Sequence, residues 1–165
     1  MIETSYRSAR DSDAEQVSEL LHRALLPNAL PGWTLAAIEH LFVQNSPQAL
    51  RERIREAAFA HVCLSSGGVA GFIISEKSRF LSLLAVDPSL QRRGIGSALV
   101  EYLLVHITKN VSDVSVVEVN ASEYSLPFYC RRGFYPISKV IDYEGCRFVR
   151  LGYWRKNPLL RSPER

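Results

Sequence analysis

Residues 80–96 constrain the fold of this chain more than any other stretch. Phe80-Leu81-Ser82-Leu83-Leu84-Ala85-Val86 reads as a strand, and Asp87-Pro88 ends it. Gln91-Arg92-Arg93-Gly94-Ile95-Gly96 then opens an amphipathic helix. The first amides of such a helix have no intrahelical partner, and together with the positive end of the helix dipole they attract anions. Gly94 and Gly96 let a ligand phosphate approach the backbone, while Arg92 and Arg93 add charge-assisted donors. A glycine-x-glycine step alone marks any tight turn. Its setting between strand and helix makes it a pyrophosphate cradle.

The rest of the chain supplies a framework for that cradle. A first strand is expected at 5–9, followed by a helix capped by Asp11 or Ser12, in which Ala14, Val17, Leu20, Leu21, Ala24 and Leu25 recur at helical spacing. Residues 27–32 break it. A second helix is predicted from Thr34 to about Val43, and a third begins at Ser46-Pro47. Strands at 59–64 and 69–75 flank the hairpin turn Ser65-Ser66-Gly67-Gly68, and the strand at 79–86 follows. After the helix from Ile95 to about Ile107 come a strand at 114–120, a short helix at 126–131, and strands at 137–141 and 147–153. A helical start followed by strand–helix alternation predicts an α/β (α+β) mixed sheet with helices on both faces.

At 165 residues the chain is expected to be one domain, 1–154, with a basic tail at 155–165. No apolar run reaches the roughly 20 residues that a membrane span requires, so no membrane partner is expected. Cys63, Cys130 and Cys146 lack metal-ligand spacing and read as reduced thiols of a cytoplasmic protein. The net charge of +3 is too small to argue for nucleic acid. His22, His40, His61 and His106 are scattered over three predicted helices and a strand and form neither a metal site nor a hydrolytic triad.

Two motifs carry a resemblance to a known family. Leu84-x-Val86-Asp87-Pro88-x-x-Gln91-Arg92-Arg93-Gly94-Ile95-Gly96 resembles the acetyl-CoA signature of the GCN5-related N-acetyltransferases, the GNAT superfamily. Glu118-Val119-Asn120-Ala121-Ser122 followed by Pro127-Phe128-Tyr129-Cys130-Arg131-Arg132-Gly133-Phe134 resembles the family's fifth strand and the helix after it. The resemblance implies a mostly antiparallel, twisted sheet of six to seven strands, splayed between the fourth and fifth. It implies acetyl-CoA as co-substrate, its pantetheine lying in the splay against Leu84, Ala85 and Val86, and its pyrophosphate on Gln91, Arg92, Arg93, Gly94, Ile95, Gly96 and Ser97. Dimers are common in the family, so a homodimer is among the expected assemblies.

Acetyl transfer to an amine requires two proton movements. The amine must lose a proton, since a lysine-like amine has a pKa of about 10.4. The leaving thiolate must be protonated or stabilised, and a tyrosine near 10 is close enough to a thiol near 8.5 to do so. Tyr129 occupies the family's general-acid position and is expected to meet the sulfur. The resemblance makes Glu118 the expected base, since family members acting on protein N-termini carry a catalytic glutamate on the fifth strand. Period-two alternation places it with Asn120 on one face of an otherwise apolar strand. It could equally bind a cationic substrate, with water removing the proton. Many family members carry Asn where this chain runs Ala121-Ser122-Glu123, and Asn120 is the expected replacement for that cofactor contact. The expected acceptor is a small primary amine. A peptide or protein amine is the alternative that Glu118 suggests, and a non-catalytic acyl-CoA-binding module is a third reading. The wall of the acceptor site is expected from Trp33, Phe42, Tyr143 and Glu144.

Overall fold

Two apolar stripes on helices, each facing a different side of one sheet, organise the chain. A computed structural model describes residues 3–26, 32–112 and 115–154. The expected tail at 155–165 and most of the break at 27–32 lie outside these residues. The elements in order are β1 (Ser5–Ser8), α1 (Ala14–Leu25), α2 (Leu35–Gln44), α3 (Pro47–Glu56), β2 (Phe59–Ser65), β3 (Gly68–Ser75), β4 (Phe80–Leu81) and β5 (Leu83–Val86). Then come α4 (Ile95–Asn110), β6 (Val116–Ala121), α5 (Leu126–Cys130), β7 (Tyr135–Tyr143) and β8 (Cys146–Trp154).

The strands form two four-stranded sheets, β1-β2-β3-β5 and β4-β6-β8-β7. Every pairing is antiparallel except β4 with β6. On one face of the first sheet, Val17, Leu20, Leu21 and Leu50 of α1 and α3 pack on Val62, Phe72 and Ile74. On the other face lies α4, whose Leu99, Leu103 and Ile107 join Cys63 and Ile73 to Val117, Val119 and Leu151 of the second sheet. One helix thus spans both sheets. Leu99 and Leu103 are fully buried, and truncating either to Ala would cost about 2–5 kcal/mol.

The single strand expected at 79–86 is two strands, giving eight among the described residues rather than six or seven. Phe80 and Leu81 pair in parallel with Glu118 and Val119, whereas Leu83–Val86 pair with β3. Ser82 lies at the break, its amide donating to Ile74 O at 3.0 Å. The twist of the two sheets carries β5 away with β3 and β6 away with β8, so no straight strand can serve both. A gap opens between them.

At the start of α1, neither Asp11 nor Ser12 acts as the cap. A 3₁₀ turn (Asp11–Asp13) precedes the helix, and the Asp13 carboxylate accepts two bonds from Arg7 at 2.8 Å and one from the Arg10 amide at 2.7 Å. α2 and α3 carry hydroxyl caps, with Thr34 accepting from Ala37 N and Ser46 from Ala49 N. Among the described residues, no helix is long and apolar enough to cross a membrane.

Candidate active site

The turn before α4 is built for backbone exposure. Arg92 (φ 61°) and Gly94 (φ 88°) both take the left-handed conformation, which turns the chain sharply into the helix. The first intrahelical bond runs from Ala98 N to Gly94 O at 2.9 Å, so the amides of Ile95, Gly96 and Ser97 have no intrahelical acceptor. Nothing lies within 4 Å of the position that a Cβ on Gly94 would take. At Gly96 the corresponding atom would sit 3.2 Å from the Phe128 ring and 3.5 Å from Val86 Cγ2. The cradle is therefore open above Gly94 and closed below Gly96.

The side chains around this turn divide the work. Arg92 and Arg93 are exposed and form no ion pair with any described residue. Ile95 is buried in the core, which leaves only its backbone for a ligand. Gln91 donates to Val86 O at 3.2 Å and accepts from the Tyr124 hydroxyl at 3.3 Å, so its side chain braces the turn. Free amides, two unpaired arginines and an open approach fit a pyrophosphate.

Arg132 was not singled out from the sequence. Its guanidinium lies 3.7 Å over the Phe128 ring, donates to Phe128 O at 2.8 Å and donates to Ser97 Oγ. These contacts clamp α5 to the first turn of α4. The i, i+4 spacing of Phe128 and Arg132 was the available signal.

The gap between the sheets widens into a cleft of about 630 Å³. Phe80 to Leu84 line one side, and Val119, Asn120 and Ser122 line the other. Of the three expected strand contacts, only Leu84 turns its side chain into the cleft. Ala85 is buried toward α1, and Val86 packs against the α4 core. β5 ends its sheet, however, so alternate amides and carbonyls along Leu83–Val86 point away from β3 toward an extended ligand, with Val86 O also accepting from Gln91.

Tyr129 stands at the junction of cradle and cleft. Its buried ring packs edge-on against Phe128 (5.0 Å) and Phe134 (5.4 Å) and also lines the cleft. No described residue hydrogen-bonds its hydroxyl. Burial pushes the Tyr129 phenol well above its ordinary pKa, outweighing a smaller downward pull from the Arg132 charge. It is therefore a neutral donor across the physiological range.

Val117, Val119 and Ala121 are buried against α4, while Glu118 and Asn120 share the opposite face, as alternation predicts. Asn120 lines the cleft, and its Oδ1 accepts from Arg150 Nε at 3.1 Å. Glu118 lies one step deeper, beside Phe80, where β4 still pairs with β6. It is half-buried and not among the residues lining the cleft.

Trp33, Tyr143 and Glu144 line the outer cleft; Phe42 does not, and instead stacks on His22 at 4.1 Å. Trp33 Nε1 donates to Arg147 O and the Thr34 amide to Gly145 O, both at 3.0 Å. Residues 32–34 are thereby strapped to the tip of the β7–β8 hairpin. Cys146, Phe148 and Arg150 also face the cleft and were missed. Their period-two spacing was visible, but the face they share was not, because it depends on pairing with β6.

The sequence profile of the acetyltransferase (GNAT) domain matches residues 11–153, and the chain belongs to that family. Solved structures agree on the fold. A GCN5-related N-acetyltransferase from Rhodopseudomonas palustris superposes with a TM-score of 0.79 at 14% identity, covering 93% of this chain and 98% of that one. PaiA N-acetyltransferase from Thermoplasma acidophilum, solved in complex with coenzyme A, gives 0.72 at 18% identity, covering 92% and 99%. The ribosomal-protein-S18-alanine N-acetyltransferase from Escherichia coli gives 0.67 at 18% identity, covering 92% and 94%. No curated protein sequence matches the chain.

Proposed function

We propose that this protein is an acetyl-CoA-dependent N-acetyltransferase that acts on the primary amine of a small molecule by direct attack within a ternary complex. The observation that carries the reading is continuity. An open anion cradle at Gly94, a free strand edge along β5 and a buried tyrosine lead in sequence into one cleft.

Acetyl-CoA supplies the activated acyl group as a thioester. In the transfer, an N–C bond forms and the C–S bond breaks, and sulfur keeps the electron pair. Of the two protons that the ammonium nitrogen loses on becoming an amide, one goes to water before attack and one to the departing thiolate. The cradle amides and Arg92 and Arg93 bind the pyrophosphate, and β5 orients the arm. Tyr129 faces the leaving sulfur. With its pKa raised by burial, full proton transfer to a thiolate whose acid has a pKa of about 8.5 is uphill, so the hydroxyl acts as a hydrogen-bond donor to developing charge. Glu118 lies outside the cleft lining and acts on the amine through water.

Two hydrogen bonds tie residues 33 and 34 to the β7–β8 hairpin beside the cleft, a fixed wall that suits a small acceptor. The test is a thermal-shift titration with acetyl-CoA, CoA and longer acyl-CoAs, followed by thiol release with a panel of amines. Acetyl-CoA should raise the melting temperature as its concentration passes Kd. No shift with any acyl-CoA and no thiol release would sink the reading.

A further inference from the structure

The one cation among the described residues lining the cleft is Arg150. It is half-buried, its Nε is held by Asn120 Oδ1 at 3.1 Å, and it forms no ion pair with any described residue. Its neighbour Arg147, with its side chain more exposed, pairs with Glu123 at 3.2 Å. A guanidinium oriented by Asn120 and left without a carboxylate keeps its terminal N–H donors available to an anion entering the cleft.

Its position in the fold narrows the choice of anion. β4 pairs with Glu118 and Val119 and then leaves; Asn120, paired with Arg150 on β8, is the next residue. The guanidinium therefore stands where the split begins, in the gap where the resemblance places the pantetheine arm. The only other charge among the described residues lining the cleft, Glu144, is exposed at the hairpin tip. Leu25, Trp33, Leu41, Tyr143 and Phe148 give the cleft a large apolar wall, with Ser82, Ser122 and Ser125 as its small polar residues.

Resting on the N-acetyltransferase reading, we infer that the acceptor is an α-amino carboxylate with an apolar side chain, its carboxylate bound by Arg150. A carboxylate at Arg150 places an amine at the split only if the two groups sit on the same carbon. A long spacer would carry the amine past it. The apolar walls then receive the side chain. Arg150 repels a polyamine, and a peptide amino terminus has no carboxylate beside its amine to offer.

Thiol release from acetyl-CoA would be followed with phenylalanine, leucine, phenylalaninamide, phenethylamine, spermidine and an alanine-led tripeptide. The free amino acids should exceed every other amine of the panel in kcat/KM by at least about tenfold. Arg150→Met should erase that preference, bringing phenylalanine to within threefold of its amide mainly through KM, while the acetyl-CoA thermal shift persists. Arg150→Lys should restore part of it. The inference is overturned if wild type uses the amide, phenethylamine, spermidine or the tripeptide as well as the acid, or if Arg150→Met lowers acid and amide alike. In those cases acetyl transfer itself still stands. Absence of both thermal shift and thiol release would instead remove the N-acetyltransferase reading beneath it.

Discussion

The cradle at residues 91–97 and the acceptor cleft share Tyr129 as a border, but they are made of different materials. The cradle is backbone from one continuous stretch: three free amides, a left-handed glycine and a second glycine pressed against Phe128. The cleft is side chains drawn from far apart, with Leu25 and Trp33 near the start of the chain and Phe148 and Arg150 near its end. Backbone geometry needs particular residues in a particular order, so it leaves a motif. A side-chain wall needs only a face and a volume, which many sequences satisfy.

The largest effect should come from the residue on the border. Tyr129→Phe keeps the ring packing against Phe128 and Phe134 and removes only a hydroxyl that no described residue bonds. Turnover should fall about 100-fold, while acetyl-CoA affinity, read by thermal shift, stays unchanged. Equal loss in both would place Tyr129 with the cradle and erase the division.

That division also explains what the sequence made legible. The strand, turn and helix at 80–96 could be read directly, as could the buried alternation of Val117, Val119 and Ala121. The split at Ser82 could not, because it arises when two twisting sheets compete for one strand. Arg150 was hidden for a related reason. Nothing within β8 says that its Cys146-Phe148-Arg150 face meets the cleft until the register Asn120 to Arg150 is known. Phe42, expected on the wall, instead took the nearer aromatic partner His22 one helix away.

If the cradle is truly backbone-built, reshaping it should cost more than discharging it. Gly96→Val brings a branched side chain to a place where even a Cβ sits 3.2 Å from Phe128, and should weaken acetyl-CoA about tenfold. Arg92→Ala removes one exposed charge and should weaken it only about threefold, with the difference shrinking at high salt. Isothermal titration of both variants decides the point. The reverse ranking would make the cradle a side-chain site after all.

Glu118 sharpens the comparison from the other end. It shares the face of Asn120 but lies beside the last paired residues of β4, outside the cleft lining. Glu118→Gln should therefore change kcat/KM by no more than about threefold across the pH range. A loss near 100-fold with disappearance of the acidic limb of the pH profile would instead make it the base.

The smallest effect concerns alkali. Burial raises the pKa of Tyr129 above that of an unfolded tyrosine, about 10. A group raised in the folded state contributes stability that is fully present below its unfolded pKa and is lost as pH rises above it, because only the unfolded chain then releases the proton. One unit above pH 10 the loss attributable to Tyr129 should be about 1 kcal/mol. The other six of the seven tyrosines are common to both proteins, so the difference between wild type and Tyr129→Phe isolates this one. Urea unfolding at pH 8 and pH 11 should show the variant losing less stability than wild type. Parallel losses would mean that Tyr129 ionises in the folded protein as readily as in the unfolded chain. The buried, always-protonated donor on which the border between cradle and cleft depends would then be gone.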